Sequence, residues 1–176
     1  MLENTSVILH ARNIWEPTLS QLKKFIPEDR IIIIDDASWV PIPNAKFRFN
    51  TFSGRYEDSM SVGLPLIDTK YVVRVNGGDD VLNLKEPLEG HSCWLSRIEG
   101  CPDHNMDPSI YPAFSTSILS GSVIKKDFYD LMLTEYNNSN KRYKFGAFCG
   151  DKVLKQENIE RSEIISLRYK SKLWRQ

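Results

Sequence analysis

Two apolar, β-branched runs, each followed by a pair of carboxylates, constrain the fold of this chain more than any other feature. Residues 31–34 run directly into Asp35 and Asp36, and residues 71–75 are followed by Asn76, two glycines, Asp79 and Asp80. Short runs that are apolar on both faces are typical of parallel strands covered by helices. Because ligands bind outside the carboxyl ends of such strands, the pattern predicts acids that meet at one edge of a buried sheet.

The acids at positions 79 and 80 have two interpretations. Hard cations such as Mg²⁺ prefer oxygen ligands and leave room for substrate phosphates, which makes Asp79 and Asp80 candidate metal ligands. Alternatively, they are solvated acids in an ordinary turn after a strand. The similar pair at Asp35 and Asp36 favours a ligand site.

Alternation of strand and helix patterns predicts an α/β fold, beginning with a βαβ unit. Pro17 lies in the first turn of a predicted helix whose apolar residues fall on one face. Gly63 and Pro65 are expected to shorten or kink the predicted helix that follows. Residues 85–112 carry four prolines and predict an irregular excursion from the sheet. The predicted strands are 6–9, 31–34, 46–52, 71–75, 114–119 and 164–167, and the predicted helices are 17–26, 56–67, 126–136 and a short one ending at 156.

Length and composition fit one globular domain over residues 1–176. The chain is 41% hydrophobic and 26% charged, with 23 basic and 23 acidic residues, so net charge argues neither for nor against a polyanionic partner. No stretch approaches the roughly 18 to 20 apolar residues that span a bilayer, and there is no secretory signal pattern, so we expect a cytoplasmic protein. Three cysteines do not form a disulfide framework.

The order of these motifs over residues 6–156 resembles the inverting family 2 glycosyltransferases. The resemblance implies a glycosyltransferase A-type fold, a Rossmann-like, mixed and mostly parallel sheet flanked by helices. Asp35, Asp36 and Ser38 match the family's Asp-Asp-Gly-Ser, which contacts the nucleoside base and ribose. Asn13 matches the turn after the first strand, and the Arg12 guanidinium is expected to stack on a uracil where the family uses a ring.

Two motifs depart from the family pattern. Gly77 stands where the family has the first metal-binding carboxylate, so the resemblance leaves Mn²⁺ or Mg²⁺ to Asp79 and Asp80, with Asn76 as a further oxygen donor. Met60 stands where a helix carries an arginine near the donor, and Arg55 or Arg74 is the expected substitute.

Asp151, in Gly150-Asp151 before a late helix, matches the family's general base. A carboxylate beside aromatic residues can have a raised pKa, which suits a group that takes a proton from an acceptor hydroxyl. The alternative is that Asp151 only caps the helix that follows. The chemistry that the resemblance implies is a metal-assisted single displacement with inversion at the anomeric carbon.

A cluster of cysteines and histidines suggests a structural Zn²⁺ site formed by His91, Cys93, Cys101 and His104. The alternative is that Trp94 and its apolar neighbours bury the cysteines in a small cluster, because this spacing is uncommon for zinc.

The tail over residues 161–176 mixes cations with aromatic residues. Such a segment can follow a phosphate backbone or lie on an anionic membrane, or it can be a solvated terminus. The cations are Arg161, Arg168, Lys170, Lys172 and Arg175.

Two functions of different class follow. The first is a glycosyltransferase that uses a nucleotide sugar, most simply a UDP-sugar, with a saccharide, a lipid-linked sugar or a nucleic acid as acceptor. The second is a nucleotide-sugar-binding or nucleic-acid-binding module on the same fold, with catalysis lost at Gly77 and Met60. A nucleotidyltransferase is less favoured, because no glycine-rich phosphate loop with a following lysine occurs near the start of the chain.

Overall fold

The computed structural model describes residues 1–99, 120–139 and 159–168. Eight strands occur in this part of the chain: β1 (Thr5–Ala11), β2 (Ile31–Asp35), β3 (Phe47–Arg48), β4 (Tyr71–Asn76), β5 (Asp80–Val81), β6 (Cys93–Glu99), β7 (Val123–Lys125) and β8 (Ile159–Arg168). The helices are α1 (Glu16–Leu22), α2 (Tyr56–Gly63) and α3 (Lys126–Asn138), with short 3-10 turns at Glu28–Arg30 and Leu64–Leu66.

The strands form one mixed sheet in the order β3-β2-β1-β4-β7-β6-β8-β5. Strands β3, β2, β1 and β4 are parallel neighbours, and β6 is parallel to β8. β7 runs antiparallel to both β4 and β6, and β5 runs antiparallel to β8. The predicted Rossmann-like, mostly parallel sheet flanked by helices is confirmed.

The second half of the sheet differs from its sequence-based description. β6 lies inside residues 85–112, where proline content predicted only an irregular excursion, and β8 begins at Ile159 and carries Arg161 and Arg168 of the predicted basic tail. The predicted strand 164–167 lies within β8. β6 pairs with β7 and with β8, which is more than sixty positions away along the sequence, and local patterns do not report such pairing. The predicted strand 114–119 and the short helix ending at 156 lie outside the described residues.

The helices follow the predicted pattern with shifted ends. α1 ends at Leu22, four residues before the predicted end. The residues that follow it form turns, in which the Phe25 and Ile26 N–H groups donate to the Leu22 carbonyl at 2.9 Å. Helix α2 ends at Gly63, and Pro65 lies in the 3-10 turn that follows, as expected from its missing N–H.

Each face of the sheet covers its own apolar cluster, because side chains alternate along the strands. Val7 and Leu9 pack with Leu22 of α1 on one face, whereas Ile8 packs with Met60 of α2 and Tyr129 of α3 on the other. Among the described residues, no helix combines the length and apolarity needed to cross a membrane.

Candidate functional site

The turns after β1, β2 and β4 lie side by side at the carboxyl edge of the sheet. Ala11 pairs with Asp35, and His10 pairs with Asn76, so the three strands end at the same level. The Gly77 N–H donates to the His10 carbonyl at 2.8 Å, which keeps the turn after β4 against β1. The structure therefore brings the predicted nucleoside and phosphate contacts of these three turns to one edge, whereas the predicted donor-binding residue Arg55 precedes α2 and Arg74 lies within β4.

The turns after β1 and β2 are joined by a reciprocal pair of hydrogen bonds. The Asn13 N–H donates to Ser38 Oγ at 2.9 Å, and the Trp39 N–H donates to Asn13 Oδ1 at 2.9 Å. Asn13 and Ala37 both have positive φ, at 60° and 56°. Ala37 occupies the glycine position of the family motif, and its left-handed backbone shows why glycine suits this turn.

Asp35 is fully buried and holds the turn that follows β2. Its Oδ1 accepts from the Ser38 N–H at 2.9 Å, and its Oδ2 accepts from the Ile42 N–H at 3.1 Å. Arg48 Nε lies 3.3 Å from Oδ2. The carboxylate thus organises the loop beside the site.

Asp36 is also buried, on the opposite face of the sheet, and anchors the loop that leads into α2. Its two oxygens accept from the Ser53 and Gly54 N–H groups, both at 2.8 Å, and Oδ2 lies 3.1 Å from His10 Nε2. Burial raises the pKa of the Asp36 carboxyl, but the contacts from His10, Ser53 and Gly54 outweigh burial and leave the pKa below its ordinary value.

A buried chain of polar groups links Asp36 to β4. Arg74 Nη2 lies 2.6 Å from His10 Nδ1, and because a guanidinium can only donate, the proton of a neutral His10 is on Nε2, facing Asp36. Burial is the main cause that lowers the pKa of His10 and also that of Arg74. Arg74 Nη1 lies 3.4 Å from Ser120 Oγ, and its guanidinium stacks 4.4 Å above the Tyr56 ring.

His10 was missed by the sequence analysis. The available signal is a titratable residue that directly follows three apolar residues of a predicted strand. A histidine in such a place is usually a satisfied core residue, and only the positions of Asp36 and Arg74 show that it connects two charged groups.

Two predicted donor-binding arginines have protein partners. The Arg12 guanidinium lies 4.3 Å above the Phe52 ring, so one of its faces is already stacked. Arg55 Nη2 donates to Glu57 at 2.9 Å and to the Tyr136 hydroxyl at 2.6 Å, and the contact with Glu57 raises the pKa of Arg55. Arg74, the third predicted arginine, is only 4% exposed.

The turn after β4 explains the missing first carboxylate. A Cβ on Gly77 would lie 2.2 Å from the Ile14 carbonyl oxygen and 2.7 Å from Ala11 Cβ, so the end of β1 and the turn that follows it leave no room for a side chain there.

Helix α1 holds the remainder of this turn. Thr18 Oγ1 accepts from the Gly78 N–H at 2.9 Å and donates to the Asp79 carbonyl at 2.8 Å. Gln21 accepts from the Val81 N–H at 2.6 Å and donates to Asp80 Oδ1 at 3.1 Å. Asp79 is buried, and its charge raises the pKa of Arg74 against the larger effect of burial.

The two carboxylates predicted to hold a divalent metal interact with different parts of the protein. Asp80 Oδ1 accepts a hydrogen bond from Gln21 on α1, whereas the charge of the buried Asp79 raises the pKa of Arg74. Within residues 1–99, 120–139 and 159–168, no three His, Cys, Asp or Glu side chains come together as a metal-binding group.

The other predicted sites are only partly placed. Cys93 is fully buried in the cluster that contains Ile124 and Tyr129, which favours the interpretation of a core cysteine over a zinc ligand. Its proposed co-ligands Cys101 and His104, and the proposed base Asp151, lie outside the described residues.

A polar depression of about 660 Å³ lies at the opposite, amino edge of the sheet. It is lined by Glu3, Asn4, Asp29, Arg30 and residues 65–70. None of the predicted site residues borders it. Its residues can therefore serve as a control region when the position of a bound ligand is measured.

Comparison with solved structures finds folds of the same type. The structure of TarS 1–349 from S. aureus in complex with UDP superposes with a TM-score of 0.63 over 95% of this chain at 17% identity. The TarS complex with UDP-GlcNAc gives 0.60 over 95% at 16% identity, and the bifunctional IspDF from Campylobacter jejuni gives 0.54 over 92% at 12% identity. At these identities the likeness shows the fold alone, which is of the glycosyltransferase A-like type.

The chain spans 60% of TarS 1–349 in the first complex, 58% in the second, and 50% of IspDF. No protein-family model matches the sequence, and no curated protein matches it either.

Proposed function

We propose that the protein is a transferase that binds a nucleoside diphosphate sugar at the carboxyl edge of β1, β2 and β4. The observation that supports this most is the convergence of three turns there, with Asn13 bonded reciprocally to Ser38 and Trp39. TarS, which shares the fold, was solved with UDP and with UDP-GlcNAc, so a UDP-sugar is the first donor to test.

The proposed reaction is glycosyl transfer by a single displacement. An acceptor hydroxyl oxygen forms a bond to the anomeric carbon while the bond from that carbon to the diphosphate oxygen breaks, and the configuration inverts. Asp151 is the proposed base that receives the hydroxyl proton, and the nucleoside diphosphate leaves with the bonding electron pair. The proposed acceptors are a saccharide, a lipid-linked sugar or a nucleic acid.

Binding and turnover test this proposal separately. Calorimetry with UDP-GlcNAc and other nucleotide sugars measures donor binding, and release of UDP with and without candidate acceptors measures turnover. We expect Asp151→Asn to keep donor affinity and to lose UDP release. Asp127→Asn, at an exposed position in the first turn of α3, is the matched control and keeps both activities.

A binding module without transfer is the second candidate. It is favoured by the close approach of Ile14 to Gly77, which removes one acidic position, and by Met60, which is buried in the core instead of presenting an arginine. Donor binding with no UDP release, in the presence of any acceptor class, identifies this function. Release of pyrophosphate from a nucleoside triphosphate and a sugar phosphate would instead identify a nucleotidyltransferase.

A further inference from the structure

The connection between β2 and α2 exposes much apolar surface at one end of the sheet. Among the described residues, four of the nine exposed large apolar side chains lie in it, and we call them the β2–α2 surface. They are Trp39, Val40, Phe47 and Phe52. Trp39 and Val40 are 75% and 78% exposed, so most of both side chains faces solvent. A cluster of exposed apolar side chains marks an interaction site, whereas scattered ones need no explanation.

Contacts with the turns of the carboxyl edge join this connection into one region. The Trp39 N–H donates to Asn13 Oδ1, and the guanidinium of the neighbouring Arg12 lies 4.3 Å above the Phe52 ring. Arg48, the last residue of β3, donates from Nη2 to the carbonyl of residue 38 at 2.8 Å. The β2–α2 surface therefore borders the proposed donor site.

The charge that this region presents to solvent is positive. No acidic residue occurs from residue 37 to residue 55, a segment that carries Lys46, Arg48 and Arg55. Lys46 is exposed. The Arg48 side chain is 43% exposed, whereas its partner Asp35 is fully buried. The Arg55 side chain is 51% exposed, whereas its partner Glu57 is only 12% exposed. An approaching partner therefore meets the cations before the acids, which favours an anionic partner.

The same charges disfavour a second copy of this chain as the partner. β3 is the outermost strand on its side of the sheet, so strand pairing between two copies is one way to cover the region. Such pairing would bring Lys46 and Arg48 close to the same two cations of the other copy. Like charges opposite each other destabilise a strand pair, and cations on an edge strand are a common protection against it.

The side chains favour a lipid bilayer over a nucleic acid. Stacking on bases uses open ring faces. Arg12 covers one face of the Phe52 ring, and the Phe47 ring packs against Phe49 at a centroid distance of 4.9 Å. Val40, the most exposed member, has no ring. An aliphatic side chain beside a tryptophan suits the boundary between lipid headgroups and acyl chains.

We infer that the β2–α2 surface docks the protein on an anionic lipid bilayer, with Trp39 and Val40 in the headgroup region and Lys46 on the anionic lipids. The docking itself does not depend on the proposed function. Under that function it places the donor site at a bilayer, because Trp39 is bonded to Asn13, and it favours the lipid-linked sugar among the proposed acceptors.

Vesicle sedimentation with the full chain tests the docking. Vesicles of phosphatidylcholine mixed with phosphatidylglycerol are compared with vesicles of phosphatidylcholine alone. We expect at least tenfold tighter binding to the anionic vesicles, and a smaller difference at high salt, because salt screens exposed charges. Absence of binding to the anionic vesicles overturns the inference, whereas calorimetry with UDP-GlcNAc tests the proposed function separately.

Matched variants test where the protein contacts the vesicle. In Val40→Gln and in Lys46→Gln we expect affinity for the anionic vesicles to fall about fivefold, because each variant removes one apolar or one cationic contact with the lipid. Leu131→Gln, exposed on α3, and Lys24→Gln, exposed in the turn after α1, are the controls and keep vesicle affinity. Circular dichroism checks that each variant folds.

Three other outcomes would overturn the bilayer docking. Equal affinities in the Val40 and Lys46 variants and their controls would mean that another part of the chain binds the vesicles. Tighter binding to a single-stranded oligonucleotide than to the anionic vesicles would identify a nucleic acid as the partner. Self-association in sedimentation velocity that Val40→Gln abolishes would identify a second copy of this chain.

Discussion

An acidic pair follows each of the buried strands β2 and β4, but the two pairs have different hydrogen-bond partners and different structural roles. In the turn after β2, Asp35 and Asp36 accept hydrogen bonds from four backbone N–H groups and hold two loops in place. In the turn after β4, side chains from α1 hold the backbone, Asp80 accepts a hydrogen bond from Gln21, and Asp79 is buried. The same sequence signal thus encodes acceptors for two loops in one turn and, in the other, a turn that is held by the neighbouring helix.

The comparison shows why an acidic pair is weak evidence for a metal. A carboxylate serves equally well as an acceptor for N–H groups of a following loop, and the sequence does not distinguish the two uses. The distinction depends on where neighbouring loops run, as between Asp36 and the loop that carries Ser53.

The largest effect is expected where an acid of the scaffold is removed. Asp36→Ala leaves the Ser53 and Gly54 N–H groups without their acceptor and takes a negative charge away from His10 and Arg74. We expect the free energy of unfolding to fall by about 3–5 kcal/mol, as measured by urea denaturation. Asp127→Ala, an exposed acid, should change it by less than about 0.5 kcal/mol. A loss below about 1 kcal/mol for Asp36→Ala would contradict the scaffold role.

The turn after β4 is expected to be intolerant of a side chain at Gly77. In Gly77→Ala the new Cβ meets the Ile14 carbonyl, so the backbone must shift, at a cost of about 3 kcal/mol. Gly90→Ala is the comparison, because its φ of 84° is strained but its surroundings are open, and about 1 kcal/mol is expected. The close approach is disproved if thermal or urea unfolding shows equal costs for the two variants.

A smaller effect is expected from the side chain that holds this turn. Thr18→Val keeps the shape of the residue but removes both the donor to the Asp79 carbonyl and the acceptor for the Gly78 N–H. We expect a loss of about 1–2 kcal/mol in unfolding free energy. Thr134→Val, which removes one exposed hydroxyl contact in α3, serves as the control and should cost less. Equal losses would show that Thr18 has no special role.

The smallest effect is a pH dependence that comes from His10. Burial lowers its pKa in the folded state, so the unfolded chain binds more protons than the folded chain below about pH 6.5, and stability falls as pH falls. We expect the wild type to lose about 1 kcal/mol more than His10→Gln between pH 7.5 and 5.5. Parallel curves for the two proteins would show that His10 is not held neutral.

Elements whose own residues carry a clear pattern could be predicted from the sequence, whereas strands that form by pairing with distant parts of the chain were harder to predict. The parallel strands β1, β2 and β4 and helix α3 follow from apolar runs and helical spacing in their own residues. Strand β6 forms only against β7 and β8, so the prolines around it suggested irregular chain.

The position of the candidate site's residues in the fold could be predicted from the sequence, but their contacts could not. Asn13, Asp36 and Ser38 lie at the expected edge, because the carboxyl ends of parallel strands must meet there. The partners of Arg12 and Arg55, and the bridge from Asp36 through His10 to Arg74, depend on side-chain positions that only packing determines.

Hydrogen exchange of the backbone amides, with and without UDP-GlcNAc, tests most directly whether the carboxyl edge of β1, β2 and β4 binds a nucleotide sugar. We predict slower exchange at Asn13, Trp39 and Gly78 on binding, with no change at residues 65–70 beside the depression of the amino edge. Slower exchange at residues 65–70 alone, or no change anywhere at saturating ligand, would contradict the proposed site.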